Sequence, residues 1–392
     1  MNGVIEQEGG DYLLLLELLH YLQQLSLLNI FMFHPERESR QCLPEHGRRT
    51  GSGRDPGIIC YHLRRFPGNH QRIDIMIINT GQRTDIPAFY SDWFVNRLKA
   101  GFVLVRNPYN PRSVTRYRLS PDVVDLIGFC TKNPAPMLPH MELLRPYGQY
   151  WFVTITPYGK EIELHVPDKR NVLESFRRLS DTVGVDSMGW RYDPVFISDE
   201  YPVERHIKAF EYMAKTLSGY TRTAVISFID LYEKTKRNFP EARQVTAEQR
   251  LLLGKAFVEI GKQYGMTIRP CGEGNELASY GADCSGCMTK ATYEQALHQR
   301  LKMPKTAPAR KECACYLGGD IGAYNTCGHL CRYCYANYDA DTVRKDMTMH
   351  DPESPLLIGQ LTPEDQVKDA KQESWIDPQI GMDLCWVDCS TR

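Results

Sequence analysis

The sequence lacks an excess of charge of either sign, since 47 lysines and arginines balance 48 aspartates and glutamates at a formal net charge of -1. Nucleic acids and anionic membranes select basic surfaces, so this balance supports neither as a partner. A convincing signal or membrane segment is lacking too. The most apolar early stretch, residues 12–33, contains Glu17, His20 and Gln23, follows an acidic leader and has no small-residue cleavage site. We therefore expect a cytoplasmic protein.

Disulfide bridges are not needed for stability, because a chain of 392 residues with 42% hydrophobic content can fill a substantial core. The chain nevertheless contains 13 cysteines. Disulfide frameworks belong to small secreted domains, and nothing here indicates secretion. The clustering of eight cysteines therefore indicates a metal or cofactor site. These eight are Cys271, Cys284, Cys287, Cys313, Cys315, Cys327, Cys331 and Cys334.

The chain divides into four parts by composition. Residues 34–72 are dense in Arg, Gly, Pro and His without helical or strand periodicity, which predicts disorder, and a β-branched run headed by Met76 follows. We predict that residues 1–73 are an N-terminal extension, either upstream of a natural start at Met76 or a genuine helical appendage with a linker. The other predicted parts are a barrel over 74–270, a cysteine-rich cluster-binding region over 271–345 and a C-terminal tail over 346–392.

Short apolar runs recur from residue 75 onward, with room for a helix between most of them. Such alternation predicts βαβ units and a parallel sheet. Seven units favour an α/β fold of the TIM-like (β/α) barrel type. The prediction includes barrels that are incomplete or permuted. A doubly wound open sheet remains the alternative, because strand order cannot be deduced from one sequence. The runs are IMII (75–78), FVLV (102–105), VVDLIGF (123–129), YWFVTI (150–155), VDSMGW (185–190), AVISFI (224–229) and GMTIR (265–269).

Polar residues follow these runs, where the carboxyl ends of barrel strands form the rim that builds an active site. We expect these side chains to converge on a polar ligand, although many single ones are equally explained as caps and ion pairs that tie loops together. The candidates for catalysis are Arg83, Asp85, Lys132, Arg191 and Asp193. The candidates for binding a cofactor or substrate are Asn107, Asn133 and Asp230, together with Tyr333 from the cysteine-rich region.

Cys327, Cys331 and Cys334 are spaced as Cys-x3-Cys-x2-Cys. Three such thiolates can ligate three corners of a 4Fe-4S cluster and leave the fourth iron open. The motif resembles that of radical S-adenosylmethionine enzymes, and Tyr333 is similar to the aromatic residue usual before their third cysteine. This resemblance implies that S-adenosylmethionine binds the open iron and is cleaved reductively to a 5'-deoxyadenosyl radical, which acts on an unknown polar substrate. It also implies a reducing partner such as flavodoxin or ferredoxin.

A second resemblance, to a bacterial family of unknown function, covers more of the chain than the three-cysteine motif does. It covers residues 74 to about 360, with MIINTGQRTDIPAFYSDWF, FCTKNPAPML, WRYDP, ISFIDLY and KECACYLGGDIGAYNTCGHLCRYCYANY among its segments. That family is recognised by a C-terminal cysteine cluster similar to the radical S-adenosylmethionine one, and it brings no substrate. One departure concerns the cysteine loop, which here follows nearly all the strands, whereas in the usual radical S-adenosylmethionine barrel it follows the first.

The remaining clustered cysteines predict a second site. Four thiolates hold either an iron-sulfur cluster or a structural zinc. The resemblance to the family implies Cys271, Cys284, Cys313 and Cys315 as the set, with Cys287 as a substitute for one of them. The other five cysteines lack such spacing and are expected to be ordinary thiols: Cys42, Cys60, Cys130, Cys385 and Cys389.

Three classes of function follow from these patterns. The leading prediction is a radical S-adenosylmethionine-like enzyme. The first alternative is a non-radical barrel enzyme with a structural zinc or iron-sulfur site, which stoichiometric zinc in a colourless protein would favour. The second alternative is an iron-sulfur redox sensor, which a reversibly cycling cluster that never binds S-adenosylmethionine would favour.

Overall fold

The computed structural model describes residues 76–303, 315–316 and 318–378, all within the unit Gly68–Arg392. The predicted extension over 1–73 lies outside these residues. So do Cys42, Cys60, Cys313, Cys385 and Cys389. In the described ranges, no helix combines the length and the apolar character that crossing a membrane requires.

Strands and helices alternate along most of the described chain. The strands are β1 Ile77–Asn79, β2 Phe102–Asn107, β3 Asn110–Arg118, β4 Leu126–Thr131, β5 Gly148–Thr154, β6 Met188–Val195, β7 Thr223–Phe228, β8 Thr267–Pro270, β9 Gly319–Asp320 and β10 Gln366–Asp369. The α-helices are α1 Ile86–Phe89, α2 Ser91–Ala100, α3 Met141–Leu144, α4 Lys169–Val183, α5 Val203–Leu217, α6 Glu233–Asn238, α7 Ala247–Gln263, α8 Lys290–Leu297 and α9 Ala340–Met347.

The main sheet has seven parallel strands in the order β8-β7-β6-β5-β4-β1-β9. Among the strands of this sheet, β1, β4, β5, β6, β7 and β8 follow one another in space in the order in which they follow along the chain, which is the winding order of a (β/α) barrel. The predicted α/β class and parallel sheet are therefore confirmed. A closed TIM barrel is not: within the described ranges β8 and β9 are the two edges of the sheet and share no ladder. The edge strand β9 has only two residues.

The run FVLV was predicted as a strand of the main sheet, and this was wrong. It belongs to β2, which pairs antiparallel with β3 in a separate sheet of order β10-β3-β2. The connection is the reason. A parallel neighbour requires a crossover of a dozen or more residues, whereas only Pro108 and Tyr109 separate β2 from β3.

Helices cover the sheet with amphipathic faces. In α4, the side chains of Val172, Leu173, Phe176 and Leu179 are buried at helical spacing, and the carboxylate of Asp168 caps the first turn by accepting from the Arg170 amide. The Phe176 side chain is fully buried, so its truncation to alanine should cost about 3–5 kcal/mol. The helices thus hold the strands, and the strand ends, in fixed places.

Candidate functional site

A cavity of about 480 Å³ lies at the carboxyl ends of the parallel strands. Its volume is within the range of small-molecule sites, about 300–1,000 Å³. Six of the polar and aromatic residues predicted from the sequence line it: Asp85, Lys132, Arg191, Asp193, Asp230 and Tyr333. Six of the predicted cysteine ligands line it too: Cys271, Cys287, Cys315, Cys327, Cys331 and Cys334. The sheet therefore brings the strand ends and both cysteine groups to one place.

Among the predicted residues that the structure describes, four are not among those that line the cavity. The Asn107 side chain accepts from the Tyr109 amide at 2.8 Å and holds the turn between β2 and β3, and Asn133 accepts from the Ala135 amide at 3.3 Å. The Arg83 guanidinium forms an ion pair with Asp320 of β9 and donates to its carbonyl at 2.6 Å. Cys284 is half-buried. The first three side chains thus serve turns and strand contacts.

The segment Cys327–Cys334, which we call the cysteine loop, runs antiparallel to residues 162–165. The Arg332 amide donates to the Ile162 carbonyl at 3.0 Å, and the His165 amide donates to the His329 carbonyl at 3.1 Å. Leu330 adopts a left-handed conformation with φ of 52°, which lets the chain turn between Cys327 and Cys331. The loop that follows β5 therefore fixes where the cysteine loop lies over the strand ends.

Burial dominates the chemistry of the three loop thiols. It raises the pKa of Cys327, Cys331 and Cys334, and for Cys331 the nearby Lys132 partly opposes the effect. Such thiols stay protonated at neutral pH. A coordinating metal removes the thiol proton outright, so these groups can become ligands despite their raised pKa.

His329, inside the cysteine loop, was not singled out from the sequence, although its place between Cys327 and Cys331 could have suggested it. Its side chain is 2% exposed, and its Nε2 lies 2.9 Å from the Asp85 carboxylate. The same carboxylate oxygen accepts from the Lys132 amide at 2.8 Å, and the other caps α1 by accepting from Ala88. His329 Nδ1 has no hydrogen-bond partner among the described residues. Asp85 therefore joins three neighbouring segments at the cavity wall.

Glu163 is a second residue that sequence reasoning missed. Its side chain is 1% exposed and lies between two cations: Lys132 is 2.8 Å from its Oε1, and Lys169 contacts its Oε2. The Thr156 hydroxyl donates to Oε1 at 2.7 Å, and the Tyr333 hydroxyl donates there as well. Burial would raise the pKa of Glu163, but the two lysines outweigh it and lower the pKa to about 2.

Sequence reasoning missed Glu163 because its contacts depend on its position in the fold. It lies in the loop after β5, in the stretch KEIELHV, where no motif distinguishes it from a solvent-exposed glutamate. Only the fold places it beneath the cysteine loop, where its backbone bridges to Cys331. Through Lys132 and Tyr333 it connects β4 to the cysteine loop.

Cys271, Cys287 and Cys315, which we call the thiol trio, also line the cavity and lie close together. The Cys287 sulfur is 3.4 Å from that of Cys315 and 3.7 Å from that of Cys271. The structure thus groups Cys287, rather than Cys284, with Cys271 and Cys315. A hydrogen bond from Cys287, helped by Arg191 and opposed by burial, lowers the pKa of Cys271 to about 7.

Arg191 and Asp193 stand beside this trio. Arg191 Nε donates to the Asp193 carboxylate at 3.1 Å, and its Nη1 lies 3.9 Å from the Cys287 sulfur. Across the described ranges, no group of three or more His, Cys, Asp and Glu side chains is arranged to hold a metal ion. The predicted ligand sets therefore stay predictions.

Comparison with protein families gives one result. Residues 77–336 match the model of a domain of unknown function, DUF1848. The chain belongs to the DUF1848 family. The DUF1848 match begins at β1 and ends just after Cys334, so it includes the thiol trio, the cysteine loop and the strand ends between them. No curated protein and no solved structure matches the chain. Membership of a family of unknown function is thus confirmed, and the radical S-adenosylmethionine resemblance of this DUF1848 protein stays a prediction.

Proposed function

We propose that this chain is an iron-sulfur protein that resembles radical S-adenosylmethionine enzymes. In this proposal Cys327, Cys331 and Cys334 hold a 4Fe-4S cluster, and the cavity receives S-adenosylmethionine and a polar substrate. One observation carries it: three thiols with Cys-x3-Cys-x2-Cys spacing line a cavity at the carboxyl ends of parallel strands, beside charged residues from several of those strands. Ligands of α/β folds bind at this end of the sheet.

The three loop thiols suit a cluster better than a single ion. A structural zinc site is closed by four ligands. Three thiolates with this spacing can instead bind three irons of a 4Fe-4S cluster and leave the fourth iron open. Cys327, Cys331 and Cys334 come from one loop, line one cavity and are half-buried.

The chemistry that such a cluster supplies when bound and reduced is one electron for the cleavage of S-adenosylmethionine. The residues of this chain bind, orient and shield. Lys132, beside Cys331, offsets the negative charge that thiolate ligation brings, and Glu163 keeps the Lys132 ammonium in place. Beside Cys287, Arg191 and Asp193 offer both signs of charge to a zwitterionic ligand. Electrons come from an external donor such as flavodoxin or ferredoxin.

The test is anaerobic reconstitution of the full chain, followed by electron paramagnetic resonance with and without S-adenosylmethionine and an assay for 5'-deoxyadenosine. We expect a reduced-cluster signal that changes when S-adenosylmethionine is added, with 5'-deoxyadenosine released. Cys331→Ala should remove that signal and most of the iron. Cys130→Ala, at another thiol lining the cavity, is the control and should keep both.

Two outcomes would contradict the proposal. Stoichiometric zinc in place of iron would favour a non-radical enzyme with a structural metal. Unchanged iron and an unchanged signal in Cys331→Ala would remove the cysteine loop from the ligand set.

A further inference from the structure

Three polar side-chain atoms of cavity-lining residues are buried without a hydrogen-bond partner among the residues that the structure describes. They are Nε2 of Gln82, Oγ1 of Thr84 and Nδ1 of His329. Thr84 and His329 are only 5% and 2% exposed. Buried polar side chains in folded proteins are mostly hydrogen-bonded, so three such atoms around one cavity need an explanation.

The three residues come from two neighbouring segments that other contacts hold in place. Gln82 and Thr84 lie in the loop after β1, and His329 lies in the cysteine loop. Asp85, next to Thr84, joins the two segments, because its carboxylate lies 2.9 Å from His329 Nε2. The Tyr335 hydroxyl donates to the Gln82 carbonyl at 2.6 Å and ties the same loop to the residues after Cys334. The three side chains are therefore not needed to hold their own segments together.

The chemistry of the three atoms limits what they can bind. Gln82 Nε2 donates hydrogen bonds, and the Thr84 hydroxyl donates or accepts. The Asp85 carboxylate accepts from two backbone amides, as an ionised carboxylate does, so His329 donates to it from Nε2 and keeps a lone pair on Nδ1. A matching ligand group thus contains an acceptor and a donor. The negative charge of Asp85 favours a cationic donor over a neutral amide.

We propose that Gln82, Thr84 and His329, which we call the head-group site, bind the α-amino-acid group of the substrate. The carboxylate of that group accepts from Gln82 Nε2 and the Thr84 hydroxyl, and its ammonium donates to His329 Nδ1. The inference rests on the proposed function, since it assigns a chemical class to the polar substrate of the same cavity. In that function S-adenosylmethionine, which also contains an amino-acid group, is served by the cysteine loop and by Arg191 and Asp193.

The test is isothermal titration of the full chain with each common L-amino acid and, separately, with S-adenosyl-L-homocysteine. We expect one or more amino acids to bind. Thr84→Val and Gln82→Leu should each weaken that binding about tenfold, because each removes a hydrogen bond to a charged group. The loss in Thr84→Val should disappear for the corresponding amine, which lacks the carboxylate. Binding of S-adenosyl-L-homocysteine should not change in either variant.

Thr131→Val is the matched control, because Thr131 also lines the cavity but its hydroxyl accepts from the Asn133 amide at 2.9 Å. This variant should keep the affinity for the amino acid and lower the melting temperature of the ligand-free chain. Thr84→Val should not lower the melting temperature, because it removes a buried hydroxyl without a protein partner. If Thr84→Val fails to fold, Gln82→Leu, at a half-buried side chain, decides.

Three results would overturn the proposal. No amino acid binds, or the variants weaken S-adenosyl-L-homocysteine instead, which would assign the head-group site to S-adenosylmethionine. In the third, Thr84→Val lowers the melting temperature and keeps the affinity, which would show that internal water satisfies the hydroxyl. Iron content and the paramagnetic signal are measured separately and test the cluster, so either proposal can fail alone.

Discussion

Charged side chains at the cavity are paired with one another. Lys132 contacts Glu163, Arg191 contacts Asp193, and Asp85 contacts His329. The sequence predicted the other four of these six residues as neighbours of a polar ligand. It equally allowed the interpretation that these four tie loops together. In the structure these pairs do tie loops together, and they also fix charge at the wall of the cavity, so the two interpretations hold for the same residues.

Glu163 gives the sharpest test of how much a single buried charge contributes to stability. Glu163→Gln keeps the size of the side chain but leaves Lys132 and Lys169 without a counter-ion in a buried place. Removing one member of a buried ion pair costs about 3–5 kcal/mol, and we expect a loss of this order in the free energy of unfolding, measured in urea.

The matched control is Glu174→Gln, because Glu174 forms an exposed pair with Arg177 at 3.6 Å. Exposed pairs contribute about 0–1 kcal/mol. Equal effects of the two substitutions would show that the charge of Glu163 is not what holds the cysteine loop to β4.

Elements contact each other through buried polar groups as well as apolar ones. His206 of α5 is fully buried; its Nδ1 lies 2.8 Å from the Tyr192 hydroxyl of β6, and its Nε2 lies 2.8 Å from the Phe196 carbonyl. Burial lowers the pKa of His206 to about 4, against a usual value of 6.5. The contact between α5 and β6 therefore depends on a neutral imidazole.

The pH dependence of stability should reveal this contact. Because the pKa is lower in the folded than in the unfolded state, the unfolded state binds more protons as pH falls from 6.5 to 4, and stability is lost across that window. At about 1.4 kcal/mol for each unit of pKa, the loss is about 3 kcal/mol. His206→Gln keeps a polar side chain without this titration, and chemical unfolding at several pH values should show a correspondingly flatter profile. The same slope in both proteins would contradict the assignment.

Element assignment from the sequence succeeded where a run was buried on both faces. The runs that became β4, β5, β6 and β7 are continuous and apolar, as central parallel strands are. The run that became β2 has the same composition. What separates it from the others is the two-residue connection to β3, which is too short for a crossover, so the two strands pair antiparallel.

The whole molecule brings distant parts of the chain to one cavity. β1 and β9 are neighbours in the sheet although about 240 residues separate them, and the cysteine loop that follows β9 packs over the loop after β5. Anything bound by the cysteine loop therefore stabilises several strands together.

A bound cluster should raise the stability of the entire domain. A ligand that binds only the folded state stabilises it by mass action, by about 2.7 kcal/mol at a hundredfold excess over its dissociation constant. Under the proposed function, anaerobic calorimetry of the full chain should give a melting temperature several degrees higher after reconstitution than before. Cys331→Ala should abolish the increase and Cys130→Ala should retain it. An equal increase in all three proteins would place the stabilising metal elsewhere.

The sequence by itself determined the α/β class, the parallel strands and the family, because apolar periodicity and characteristic segments are local properties of a chain. Only the tertiary structure decided that β2 leaves the main sheet, that Cys287 joins Cys271 and Cys315, and that Glu163 and Asp85 hold the cysteine loop. Those facts depend on contacts between residues far apart in the chain, such as Asp85 with His329. Burial and pairing of this kind arise only when the strands are assembled, so no local pattern records them.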